Sequence, residues 1–132
     1  MKKFKRIIGF AIVFVAFAAS ITVLANSTDY VATIPTFGHK TVVEGVKTNH
    51  PQKDEAAHNV AKACESNFIC WIDCNKAGSW DNCTANQEMK AGEEKDMPYT
   101  VYPPQGSPMR LRIQPYGLFD GGKAISGHID FK

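Results

Sequence analysis

Two stretches near the C-terminus alternate apolar and polar residues with a period of two, and they constrain the fold more than any other feature. Met109, Leu111 and Ile113 interleave with Arg110, Arg112 and Gln114, and Ile125, Gly127, Ile129 and Phe131 with Ala124, Ser126, His128 and Asp130. Successive side chains of a strand point to opposite faces, so this pattern builds half-buried strands and no continuous helical stripe. Between them, Tyr116 to Gly122 carries Gly117, Gly121 and Gly122. Two alternating runs around a glycine-rich loop predict an antiparallel pair.

The rest of the chain repeats the signal more weakly. Tyr30 to Phe37 reads as a strand, with Pro35 pointing to an edge or a bulge. Lys40 to Lys47 holds Val42, Val43 and Val46, with Gly45 as the expected bulge. Thr48 to Ala57 is polar and reads as a loop. His58 to Glu65 leaves strand and helix open, and the strand is favoured by the clear strand that follows. In Phe68 to Cys74, Phe68, Cys70, Ile72 and Cys74 share one face, while Ile69, Trp71 and Asp73 share the other. Trp71 is expected in the core. Asn75 to Asn82 reads as a loop, and Thr84 to Lys90 and Met97 to Tyr102 as weaker strands around a turn at Gly92 to Asp96. The expectation is an all-β domain, a small antiparallel β-sandwich of about seven or eight strands.

The N-terminus predicts export. Lys2, Lys3, Lys5 and Arg6 precede an uncharged apolar run, Ile7 to Ala19, and Val23-Leu24-Ala25 suits signal peptidase. Residues 1–25 are therefore read as a signal peptide and 26–132 as one exported domain. The alternative is an uncleaved membrane anchor, since Ile7 to Ala25 is just long enough to span a bilayer. Basic residues before the run place the remainder outside the cytoplasm in either case, secreted or on the extracellular face of the envelope. The charge balance fits. The whole chain has 15 basic and 13 acidic residues, but without the first 25 the balance is 11 against 13. That removes the basic surplus a nucleic-acid partner would require.

Four cysteines, Cys64, Cys70, Cys74 and Cys83, lie within one short segment. An even count in a short exported chain predicts two disulfides stapling the domain. Structural zinc is disfavoured because no C-x-x-C knuckle is present. Cys70 and Cys74 on one strand would sit about 13 Å apart, beyond bonding reach. Two pairings stay open. A turn centred on Asn67 would set Cys64 opposite Cys70, with Cys74 then closing on Cys83, and this is mildly favoured over Cys64–Cys74 with Cys70–Cys83.

No motif carries catalysis. His39, His50, His58 and His128 form no ligand set, and no G-x-S-x-G marks a serine nucleophile. Asp73, Asn75, Gly78 and Asp81 approach a calcium loop, which fails at Ala77 and Thr84. The expectation is therefore no catalytic residue, no metal and no cofactor. Aromatic residues placed in loops or at strand ends, Trp80, Tyr102, Tyr116 and Phe119, are the candidate contact surface for a protein, glycan or membrane. The competing reading is that they cap a small core.

Lys47-Thr48-Asn49, Phe68 to Asp73, Met109 to Ile113 and Ser126-Gly127 resemble segments of small secreted Gram-positive proteins of uncharacterised function, some of them bacteriocin-associated. The resemblance covers Ser27 to Phe131. It implies export and a role in interbacterial antagonism or envelope stress, and transfers no catalytic residue. The function expected first is a non-catalytic secreted protein that binds a cell surface or partner, bacteriocin-like or envelope-associated. The alternatives are a membrane-anchored structural component of the envelope, and a small hydrolase using His58 or His128 with Asp54 or Asp130.

Overall fold

Every regular element in the computed structural model, which describes residues 27–52 and 55–132, is a β-strand. The expected signal peptide or anchor and Asp54 lie outside the described residues. Nine strands follow in order: β1 (Ser27–Thr33), β2 (Lys40–Val46), β3 (Ala56–Cys64), β4 (Phe68–Lys76), β5 (Ser79–Asn82), β6 (Gln87–Met89), β7 (Glu94–Pro98), β8 (Pro108–Pro115) and β9 (Ala124–Asp130). They form two antiparallel sheets, one in the order β1-β9-β3-β7 and one in the order β2-β8-β4-β5, with β6 also paired to β4. The expected all-β architecture is correct, with one or two more strands than the sequence suggested.

One core lies between the sheets. The first sheet contributes Tyr30, Ala57, Ala61, Ile125 and Ile129, and the second Phe68, Cys70, Ile72, Met109, Leu111 and Ile113. The alternation read from the sequence sets this division. In β8 Met109, Leu111 and Ile113 are buried, as are the odd-numbered residues of β9, while the even-numbered ones reach solvent to varying degrees. Gly127 is required on β9 because Tyr30 and the Val60 carbonyl fill the space a Cβ would occupy, each with an atom 2.3 Å away.

Several connections differ from expectation. β8 and β9 do not pair with each other. β8 lies between β2 and β4, and β9 between β1 and β3, in the other sheet. Both alternate because both line the same core from opposite sides, and alternation specifies a face without specifying a neighbour. The turn at Asn67 likewise makes no hairpin, since β3 and β4 belong to different sheets. The expected loop from Asn75 to Asn82 is instead the β4–β5 hairpin, with Asn75 opposite Trp80 and Lys76 opposite Ser79. Its two central residues, Ala77 and Gly78, have φ of 50° and 86°. That suits a primed hairpin turn, and the Asn75 side chain accepts a 2.9 Å hydrogen bond from the Gly78 amide. Alanine is a poor signal for positive φ, which hid the hairpin in the sequence.

Smaller differences follow the same logic. β1 ends at Thr33, before Pro35, and the β2 bulge falls between Thr41 and Val43, while Gly45 pairs regularly with Met109. Glu94–Pro98 is a strand held by β3, so only the start of the expected Gly92–Asp96 turn is a turn, with Gly92 at φ 81°.

Candidate interaction surface

The connections β1–β2 and β8–β9 meet at one end of the sandwich. Buried Ile34 fastens the first to the second. Its amide donates to the Lys123 carbonyl at 2.9 Å, and its carbonyl accepts from the Gly122 amide at 2.8 Å. Gly121 lets the backbones approach, for a Cβ there would stand 2.6 Å from the Thr36 Cα. Within the second loop Asp120 acts as an internal brace. One carboxylate oxygen accepts from the Gly117 amide at 2.7 Å and the other from the Ser66 hydroxyl at 2.5 Å. The loops are thus tied to each other and to the β3–β4 connection.

What this braced frame presents is apolar. Phe37 is 90% exposed, Leu118 94%, Phe119 90% and Tyr116 53%. Phe37, Tyr116 and Leu118 line a shallow cleft of about 340 Å³ between the loops, floored by Gly38, Pro115 and Gly117. Single exposed apolar residues are ordinary, but a cluster of large ones at one place marks a contact site. The frame also fixes the loop that carries them, so less ordering entropy remains to be lost on contact.

Of the expected contact residues, Tyr116 and Phe119 belong to this tip and the other two do not. Tyr102 lies on a separate cleft of about 460 Å³ with Ala77, Pro104 and Ser107, toward the opposite end. Trp80 is on β5 and half-buried, with the Arg110 guanidinium 4.3 Å from its ring centroid. Phe37 and Leu118 were missed. In sequence Phe37 reads as the end of a strand, and Leu118 is one aliphatic residue in a glycine-rich loop. The available signal was the pair of loops each placing an aromatic beside glycine or aspartate.

The outward face of the second sheet is polar and mostly bonded within itself, although the buried Arg112 Nε has no hydrogen-bond partner and stands 3.9 Å from Asp73. Arg110 holds Asp73 through Nε and Nη2, both at 3.1 Å from one oxygen. Arg112 donates to Thr41 at 2.8 Å and contacts His39. Trp71 is buried, as expected, but on this outer side, with His39 edge-on at 5.6 Å between ring centroids. The acidic residues of the supposed calcium loop are therefore distributed along a hairpin, with Asp73 bound to arginine. No group of three His, Cys, Asp or Glu side chains suited to a metal occurs among the described residues.

The histidines of the hydrolase reading lie on the outward face of the first sheet. His58 is 2.9 Å from Asp96 and 3.7 Å from Glu94, and His128 is 2.9 Å from Asp29. Asp130 is the cross-strand neighbour of His58. Asp29, fully exposed, is held below its ordinary pKa by the His128 hydrogen bond and then by Lys62.

The cysteines are free thiols in the structure. Cys74 and Cys83 lie together in the core, the Cys83 thiol donates to the Ile72 carbonyl at 3.3 Å, and burial raises the Cys83 pKa far above its ordinary value. Burial pushes the Cys70 thiol up to about 12, opposed by the hydrogen bond from Asn59. Cys64 is only half-buried and donates to the Ser126 carbonyl at 3.8 Å. With their pKa values raised by burial, Cys64, Cys70 and Cys83 keep their protons at neutral pH, which makes them poor nucleophiles.

No family model and no curated protein matches the chain. Among solved structures it is similar to the Yersinia pseudotuberculosis-derived mitogen, at 15% identity and a TM-score of 0.54, covering 81% of this chain and 86% of that one. A structure of PirA aligns at 13% identity and a TM-score of 0.47, covering 81% and 94%. At these identities the likeness to the mitogen is one of fold, two packed antiparallel sheets.

Proposed function

We propose that the chain is an exported, non-catalytic protein that binds a cell surface or a partner displayed on it, using the tip formed by Phe37, Tyr116, Leu118 and Phe119. A single observation carries this reading. A small domain that buries aliphatic and aromatic side chains in one core leaves three of its largest ones about nine-tenths exposed on one braced pair of loops. Such exposure lowers solubility and is expected where contact requires it. The leader and the resemblance to small secreted, bacteriocin-associated proteins agree with that role, and the mitogen's likeness lends its fold to it. A Cys74–Cys83 disulfide, joining two thiols that lie together in the core, would form in an oxidising compartment and fit the same destination.

Binding to intact Gram-positive cells tests this function. The wild-type chain and the triple variant Phe37→Ser/Leu118→Ser/Phe119→Ser are compared after circular dichroism shows both folded. Strong loss of cell binding by the variant is expected. Equal binding by the two overturns the assignment to the tip, and no binding by the wild type overturns the function. The N-terminal mass of the protein from culture medium separates secretion from anchoring, a species starting at Asn26 being expected for secretion.

A further inference from the structure

We propose that the partner of the tip is a lipid bilayer bearing anionic headgroups, into whose interface Phe37, Leu118 and Phe119 insert. The inference rests on the binding role given to the tip above and names its partner. Three observations single out a bilayer. The first is shape and size. The apolar side chains stand on the ends of two short loops and are almost wholly exposed. A stable protein interface needs roughly 800 Å² from each partner, with a packed apolar centre inside a polar rim. A bilayer needs only a few inserted apolar groups together with charge attraction.

The second observation is charge. The loops and their flanks carry Lys40 and Lys123, with His39 beside them and Asp120 as the acid within the segments 34–40 and 116–123. Both Asp120 oxygens are engaged inside the loop by Gly117 and Ser66. Glu65, at the base, accepts from the Ala124 amide. Lys123 is exposed, and its own carbonyl ties the two loops together. The formal charges of Lys40 and Lys123 are balanced by Asp120 and Glu65, so the preference for an anionic headgroup layer comes from placement: both acids are held by loop donors while Lys123 stands exposed, where it adds attraction that salt weakens. The third is chemistry by depth. Tyr116, half-exposed behind the fully exposed Leu118 and Phe119, has an apolar ring and a polar end, the combination favoured at headgroup level.

The test maps lipid contact along the full chain. The protein is mixed with vesicles containing a phospholipid whose acyl chain bears a diazirine, in phosphatidylcholine alone or with phosphatidylglycerol. After irradiation the labelled peptides are located by mass spectrometry. Because the map reports position, labelling of residues 1–26 is separated from labelling of the tip. Label in 34–40 and 116–123 is expected, stronger with phosphatidylglycerol and reduced by salt. The triple serine variant should lose about tenfold or more of it, since three inserted side chains are replaced by polar ones. Lys40→Gln/Lys123→Gln should remove the preference for phosphatidylglycerol.

Label restricted to residues 1–26, or tip label unchanged in the triple variant, overturns the proposal. Tip-dependent binding to cells without tip label in vesicles also overturns it, pointing to a protein or glycan partner and leaving the function above intact. Failure to bind either cells or vesicles removes both.

Discussion

The two ends of the sandwich handle their difficult side chains in opposite ways. At one end three large apolar groups stand in water. At the other a lysine is wholly buried. Lys47 follows β2, and its Nζ donates to the Glu55 carboxylate and to the Asn49 carbonyl, both at 2.6 Å, with the Tyr99 ring centroid 5.7 Å away. The ion pair joins the end of β2 to the start of β3, and the amides of Lys47 and Thr48 add bonds to the Ser107 carbonyl before β8 and the Phe131 carbonyl after β9. The polar end gathers loops around a charge, at a desolvation cost that its hydrogen bonds offset in part, the second Glu55 oxygen being buried without a partner. The apolar end braces loops through backbone bonds and leaves their side chains free. Removing side chains at the polar end should therefore cost stability, and at the apolar end it should cost binding.

Lys47→Ala would sharpen this contrast most. It leaves Glu55 buried without its cation and should destabilise the fold by about 3–5 kcal/mol in urea unfolding. The double variant Lys47→Met/Glu55→Leu should recover most of that loss, because no buried charge is left unpaired. If Lys47→Ala were harmless, the end would be held by its backbone bonds alone.

Joining Cys74 to Cys83 comes next. Oxidised protein should be more stable than reduced by about 2 to 3 kcal/mol, through the shortened unfolded chain. A reductant should lower the unfolding midpoint, and Cys74→Ser should abolish that response from this pair. Peptide mapping that joins Cys64 to Cys74 would contradict the proximity of Cys74 and Cys83.

Gly121→Ala tests the brace of the apolar end. Its Cβ would strike the Thr36 backbone, and the adjustment should cost about 1–3 kcal/mol while also weakening cell binding. By contrast, Phe37→Ser or Leu118→Ser should shift stability by no more than about 0.5 kcal/mol while reducing binding. A large stability loss there would show that these side chains serve the fold.

The smallest effect concerns Asp29. Its folded carboxyl ionises at lower pH than the unfolded one, whose value lies near 3.8. Its contribution to stability is thus complete above that value and fades as pH falls through the folded pKa. Asp29→Asn should slightly flatten the acid limb of a stability–pH curve, and an NMR titration of the Asp29 carboxyl should show the depressed midpoint rising in His128→Ala.

Which positions face the core was legible wherever period two is clean. Met109, Leu111, Ile113, Ile125, Ile129 and Phe131 are all buried, as are Phe68, Cys70, Ile72 and Cys74. The tip was half legible. Tyr116 and Phe119 stood out as loop aromatics, but nothing near Phe37 in sequence says that it stands beside Leu118, on a loop some eighty residues away. Lys47 stood out only within a short string resembling other secreted proteins. A lysine looks exposed until the fold supplies Glu55.

The sequence by itself determined that the chain is built of strands and which side of each is apolar, because those properties depend on neighbours two residues apart. Tertiary structure alone decided which strands pair, that β8 and β9 part into different sheets, that Lys47 is buried against Glu55, and that two loops converge into one apolar tip. Each of these is a contact between distant segments. Such a contact is chosen by how the two faces close over a common core, and local pattern carries no record of that choice.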